Sequence, residues 1–338
     1  MLPVARSADG GLKGGTVGFL KRRARRILPP YYAALLLSLL GLILTPQGLA
    51  YLHGARDPRW LADFTAPVLL SHLLLVHNLT LAWSHKINQA MWSIGTEWQI
   101  YFTLPFVLLP AWRRGGVRAL LAAGLVMGAA PILLVLFGFP LIPNSAWYAG
   151  VFGIGAAGAV WVWQGLSDEK RRPAMRRKAL IGLAAMAVAY VLACKYVAPM
   201  HTLSASVGRN YLNGTLKDYL LGGMVVCVLI VGTLSRDLPK SPIFAPFRLL
   251  ETSVARTLGA FSYSLYLTHC IVLSQADTLI ASHHLSPVTG FDLKAVLGVP
   301  IAVGLAYGFH LVFERPFMVS STSRNLRLLA EAPPAPSQ

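Results

Sequence analysis

Charge is scarce in this 338-residue chain. Asp, Glu, Lys and Arg together make up 13% of it, about half the share usual in soluble domains. Acidic residues are the rarest part, 13 against 30 Lys and Arg, which leaves a formal net charge of +17. Cysteine is nearly absent: Cys194, Cys227 and Cys270 are odd in number and each lies within an apolar run. Neither a disulfide framework nor a Cys-x-x-Cys metal site is indicated, and all three read as small core residues. No G-x-S-x-G, Walker A, H-E-x-x-H or G-x-G-x-x-G stands in a usable context. His53, His85, His201, His283 and His284 have no metal-ligand spacing around them, so no metal site is expected. A soluble Rossmann enzyme, a disulfide-stapled secreted module and a disordered scaffold are excluded.

Apolar residues fill the space that charge leaves, at 55% of the chain with a mean hydropathy of +0.57. A bilayer core about 30 Å thick takes roughly 20 apolar residues per helix. Runs of that kind cover 27–44, 90–110, 117–137, 146–164, 179–197, 216–234, 258–279 and 293–313. A ninth stretch, 66–82, is shorter and carries Ser71, His72, His77 and Asn78, which suits an interfacial or re-entrant helix better than a span. The fold expected is all-α: a polytopic membrane helix bundle of about eight transmembrane helices plus one short interfacial or re-entrant helix.

Lys and Arg collect in cytoplasmic loops, so their positions test that count. With eight spans and an inner N-terminus, the clusters at 21–26, 113–118, 170–178 and 236–256 all fall inside. If 66–82 also crossed, every later basic loop would move outside. Both termini are therefore expected in the cytoplasm, with the chain in the cell membrane. The charge is spread one cluster per inner loop and is not gathered on a face with polar or aromatic readers beside it, so no nucleic-acid partner is expected. A pull toward anionic lipid headgroups follows from the same residues. The chain divides into a polar, Gly-rich segment 1–18, a membrane domain 19–317, and a Pro-rich cytoplasmic tail 318–338 that reads as partly disordered.

Ionisable residues within spans are costly and mark function by default. In WSIGTEWQIYF, Ser93, Glu97 and Tyr101 recur every four residues, on one helix face near the outer end of the span. Glu97 there can orient a catalytic His or bind substrate hydroxyls; alternatively it is a structural carboxylate paired with an Arg or hydroxyls. In GAFSYSLYLTH, Ser262, Tyr266 and His269 share a face. His269 has the chemistry of a general base, or that of a helix-to-helix hydrogen-bonding residue. In KRRARRILPP, Arg23 and Arg26 lie three apart and can hold a phosphorylated ligand; the alternative is a positive-inside anchor. His310 and Glu314, one turn apart, are expected to pair structurally. His72 and His77 are candidates to line an outer vestibule.

Taken in order, RRARRILPPYY, NQAMWSIGTEWQIYFTLP, LGAFSYSLYLTHCIVL and FERPF resemble the acyltransferase type 3 family of integral-membrane O-acyltransferases, over about 19–317. That resemblance implies transfer of an acyl group, acetyl being the expected one, from acyl-CoA to a hydroxyl of a sugar or glycoconjugate, with no bound cofactor. The partners it implies are acyl-CoA, the glycoconjugate acceptor and the bilayer. It also implies roles for particular residues. Arg23 and Arg26 match the family's donor-associated arginines. Trp92, Ser93, Glu97 and Tyr101 match its W-S-x-x-x-E-x-x-x-Y run, with Trp92 and Ser93 on the substrate side and Glu97 and Tyr101 catalytic. Tyr263, Tyr266 and His269 match S-Y-S-x-Y-L-x-H, with Tyr263 and His269 catalytic. Glu314, Arg315 and Pro316 match the closing E-(R/K)-P.

Family members begin with two further spans carrying an Arg and the His regarded as the main base. Eight spans equal that ten minus two, so this chain alone is expected to have little or no transferase activity, with His269 a weak substitute. A transporter or channel for lipid-linked sugars, or a non-catalytic membrane remnant, is the alternative.

Overall fold

The computed structural model describes residues 4–5, 11–44, 65–136, 146–197, 206–235 and 245–318. Among them all regular structure is helical. This is the outcome the bilayer dictates, because a helix satisfies its own backbone N–H and C=O groups without water. The tail from 319 onward, most of residues 1–10, His53 and His201 lie outside the described residues.

The helices are α1 (Gly15–Ile43), α2 (Ala66–Leu73), α3 (Leu81–Ser84), α4 (Met91–Thr103), α5 (Leu109–Leu136), α6 (Tyr148–Ser167), α7 (Arg172–Leu192) and α8 (Ser206–Leu234). Then come α9 (Ala245–Leu250), α10 (Ser253–Ala260), α11 (Ser262–Ser282), α12 (Pro287–Leu293), α13 (Val299–Phe309) and α14 (Arg315–Met318). Wider π-type turns join several of them, at Leu104–Leu108, Lys294–Gly298 and His310–Glu314.

Five of these helical stretches are long and apolar enough to cross a membrane: Gly15–Ile43, Tyr148–Ser167, Glu169–Tyr196, Gly214–Leu234 and Pro287–Met318. Of the other expected spans, α4 is diluted by Thr96, Glu97 and Gln99, and α11 by His269, Gln275 and Asp277. Between α4 and the far end of α5 the break comes at Gly115 and Gly116, where φ reaches +64° at Gly116, a conformation that only glycine takes readily. Apolar side chains turned outward are what a bilayer solvates. On α7 Ile181, Val188, Val191 and Leu192 are exposed, as are Val225 and Leu229 on α8.

The stretch 66–82 is not one helix. It runs as α2, a 3-10 turn at His77–Leu79, and α3, a broken path in keeping with a re-entrant or interfacial segment. Leu75, at φ +55°, makes the bend.

The chain divides into two compact units. The first comprises Met1–Leu20, Leu70–His85 and Trp92–Arg256; the second comprises Lys21–Leu69, Lys86–Met91 and Thr257–Gln338. In the first unit α5 and α6 pack through glycine: a Cβ on Gly124 would stand 2.8 Å from the Gly153 Cα, and the reverse holds. Small residues are how helices approach closely in lipid, where apolar burial does not drive them together. Gly128 and Gly150 likewise leave the notch that the Tyr219 hydroxyl occupies. In the second unit α11 and α13 pack together, and Gln275 donates to the Gly41 carbonyl of α1 at 3.2 Å.

Candidate active site

The residues expected at the site fall into two clusters, one in each unit. In the first unit α4 carries Trp92, Ser93, Glu97 and Tyr101, all half-buried. The four-residue spacing does what it predicts: the Tyr101 hydroxyl donates to the Glu97 carboxylate. The Tyr101 ring meets Phe19 edge-on, with centroids 6.0 Å apart. Trp92 packs against Tyr148 at 5.8 Å and His85 at 6.4 Å. Tyr148 stacks on Trp147, whose indole N–H donates to Asp218 at 2.7 Å. Beside α4 an apolar cavity of about 450 Å³ is lined by Ile100, Tyr148, Val151, Phe152 and Gly155, among others. Ile100 follows Glu97 by three residues, so the cavity flanks the carboxylate's side of the helix.

The opposite side of α4 is fixed by a polar brace. The side-chain amides of Asn78 and Gln99 bond each other both ways, at 3.1 Å and 2.8 Å. Asn78 also donates to Thr96 Oγ1 at 3.1 Å, and Gln99 to the Leu75 carbonyl at 3.1 Å. Asn78 is 1% exposed, a depth at which an amide needs partners. Gly95 permits the approach, since a Cβ there would lie 2.9 Å from Asn78 Oδ1. The turn between α2 and α3 thus docks on α4 through hydrogen bonds. His72 and His77 do not line a vestibule: both are fully buried and their rings stack 4.0 Å apart.

In the second unit α1 carries Arg23, half-buried, and Arg26, exposed. Pro29 and Pro30 follow in the same helix. Lacking N–H groups, they deprive the carbonyls four residues back, at Arg25 and Arg26, of their helical donors. The next carbonyl, that of Ile27, accepts a 3.2 Å bond from the Tyr263 hydroxyl on α11. Tyr263 thereby ties the His269 helix to the turn after the arginines.

His269 is half-buried. It bonds neither Ser262, whose hydroxyl donates to Gly259 O, nor the Tyr266 hydroxyl. Its Nδ1 lies 2.8 Å from the Tyr266 carbonyl, and the two rings stand 5.8 Å apart. Its Nε2 lies 3.3 Å from Cys270 Sγ. The expected face of hydroxyls around the imidazole is therefore replaced by main-chain carbonyls and a thiol. His310 and Glu314 pair as their spacing suggests, at 2.8 Å, and Ser264 donates to the same carboxylate oxygen at 2.5 Å.

Sequence reasoning did not single out Asn88 or Gln99, whose side-chain amides brace these clusters, nor the contact of the Cys270 thiol with His269. The only sequence signal was a scatter of amides in a stretch otherwise apolar. Among the described residues no three His, Cys, Asp or Glu side chains converge as metal ligands.

A family model described as an acyltransferase domain matches residues 9–311 of this chain. No curated protein and no solved structure matches it.

Proposed function

We propose, from the premise that this chain belongs to the acyltransferase type 3 family, that it moves an acyl group, acetyl in the first instance, from acyl-CoA to a hydroxyl of a sugar or glycoconjugate. It works from within the bilayer. The observation that carries this reading is the bond from Tyr263 to the Ile27 carbonyl. It joins, within one unit, the helix bearing His269 to the helix bearing Arg23 and Arg26.

The roles follow from the chemistry of each group. Arg23 and Arg26 hold the phosphates of the donor at the cytoplasmic side, where guanidinium forks give charge-assisted bonds. His269 lies six residues beyond Tyr263, about 9 Å along the helix at 1.5 Å per residue. This imidazole takes the proton from the attacking group. The acceptor oxygen replaces sulfur at the acyl carbonyl, and coenzyme A leaves as the thiol with that proton. The Glu97 carboxylate, held by Tyr101, orients the acceptor hydroxyl, and Trp92 and Ser93 flank the sugar. Hydroxyl donors such as that of Tyr263 steady the tetrahedral oxyanion.

The test uses the full chain in lipid nanodiscs with radiolabelled acetyl-CoA and a mixture of free and lipid-linked sugars. Acceptor-dependent release of coenzyme A, with label appearing in an ester at the low rate that His269 as a weak substitute base implies, is the expected outcome. Passage of the sugar across the bilayer with no consumption of acetyl-CoA would point to a transporter instead.

A further inference from the structure

The surroundings of Cys270 differ from those of the other two thiols. Cys194 is exposed, and Cys227 is buried in an apolar cluster with Ile230, Val231 and Met175. Cys270 is half-buried, and its sulfur lies 3.3 Å from Nε2 of His269. The Nδ1 of that ring faces two carbonyls, of Tyr266 at 2.8 Å and of Leu265 at 3.2 Å. A carbonyl oxygen can only accept, so Nδ1 carries the ring proton. Nε2 of the neutral imidazole then presents its lone pair to the thiol.

The Ala90 N–H, just ahead of α4, donates to Asn88 Oδ1 at 3.0 Å. Asn88 is clamped in turn: its amide donates to Ser38 Oγ at 2.9 Å and to the Leu267 carbonyl at 3.0 Å. Asn88, Ala90 and Leu267 are all 4% exposed or less. Ile87, at φ +63°, holds a conformation that β-branched residues rarely adopt, and this turn presents Asn88 to α11. The sulfur therefore has a base beside it and partial access. Those are the parts of an activated nucleophile, with the base itself oriented by a third group.

Building on the acyltransferase reading above, we propose that Cys270 is the acyl-carrying nucleophile and His269 its base, so that transfer passes through an acyl-cysteine. In the first step His269 Nε2 takes the thiol proton and the sulfur attacks the carbonyl of the acyl thioester. The bond to coenzyme A sulfur breaks, and the departing thiolate takes the proton from His269. In the second step His269 takes the acceptor hydroxyl's proton, the oxygen attacks the acyl-cysteine, and the Cys270 thiolate leaves and is reprotonated. One thioester is exchanged for another and then for an ester, with no oxidant or reductant required.

The experiment uses the full chain in nanodiscs, with Cys194→Ala and Cys227→Ala so that one thiol remains. Incubation with labelled acetyl-CoA in the absence of acceptor is expected to release up to about one coenzyme A per chain. The label should appear on the Cys270 peptide as a hydroxylamine-sensitive thioester and be lost in Cys270→Ala. Without any donor, alkylation of Cys270 by iodoacetamide is expected to slow about tenfold or more in His269→Gln. Alkylation unchanged by His269→Gln together with no label overturns the proposal. Full acceptor transfer retained in Cys270→Ala overturns it too, while leaving the transferase reading standing. No consumption of acetyl-CoA by any variant, with or without acceptor, sinks both.

Discussion

The hydroxyl of Tyr101 donates to the carboxylate of Glu97 one turn earlier on α4. The pair sits half-buried on a helix whose other polar face is already occupied by Asn78 and Gln99. A carboxylate held this way has one oxygen engaged by the phenol; the proposed role gives the other to a substrate hydroxyl. Tyr101→Phe keeps the ring contact with Phe19 and removes only the bond. We expect kcat to fall about tenfold with KM little changed, and stability to drop by about 1 kcal/mol. Steady-state kinetics and thermal unfolding of the same sample check both.

The Asn78–Gln99 amide pair should behave as a coupled unit. Gln99→Ala strips Asn78, 1% exposed, of two of its three side-chain bonds, at a cost of about 2 kcal/mol. Because the partners touch, the Asn78→Ala, Gln99→Ala double variant should lose less than the sum of the singles, by about 0.5–3 kcal/mol. Denaturant unfolding of the four proteins in nanodiscs measures it; strict additivity would mean the amides do not depend on each other.

Glu314 lies 1% exposed between His310 and Ser264. Glu314→Ala leaves both partners buried without their acceptor and is expected to cost about 3 kcal/mol. Glu314→Gln keeps an oxygen acceptor and should cost less. Melting temperatures of the two variants, with Ser264→Ala as a third, would rank them.

The glycine contact between α5 and α6 leaves no room for a side chain. Gly153→Val places atoms within 3 Å of the Gly124 main chain, so the helices must separate. The loss expected is about 1–3 kcal/mol, with Gly155→Ala, which meets nothing within 4 Å, as the neutral control in the same unfolding assay.

How much of this could be read from the sequence depends on how far apart the partners lie in the chain. Helices over the expected runs follow from apolar length alone, and the pairs Glu97–Tyr101 and His310–Glu314 follow from a four-residue spacing on a single helix. The broken path of 66–82 was signalled by His72, His77 and Asn78 among leucines. Among the described residues five helices meet the length and hydropathy of a span; two of the other expected spans, α4 and α11, are diluted by polar residues such as Glu97, Gln99, His269 and Asp277. Contacts across the sequence left no periodic trace: Asn88 reaches Ser38 and Leu267, 50 and 179 positions away. Cys270 read as a core residue because nothing in one dimension tells which way the neighbouring imidazole turns. The stacking of His72 on His77 was hidden for the same reason.

Equilibrium binding of acetyl-CoA to the full chain in nanodiscs tests the donor site most directly, comparing the native sequence with Arg23→Ala plus Arg26→Ala. Saturable binding by the native chain is expected, weakened about a hundredfold in the double variant, as loss of two charge-assisted phosphate contacts implies. Equal affinity in the two proteins, or no saturable binding to either, would contradict the assignment of this chain as an acyl-CoA-dependent transferase.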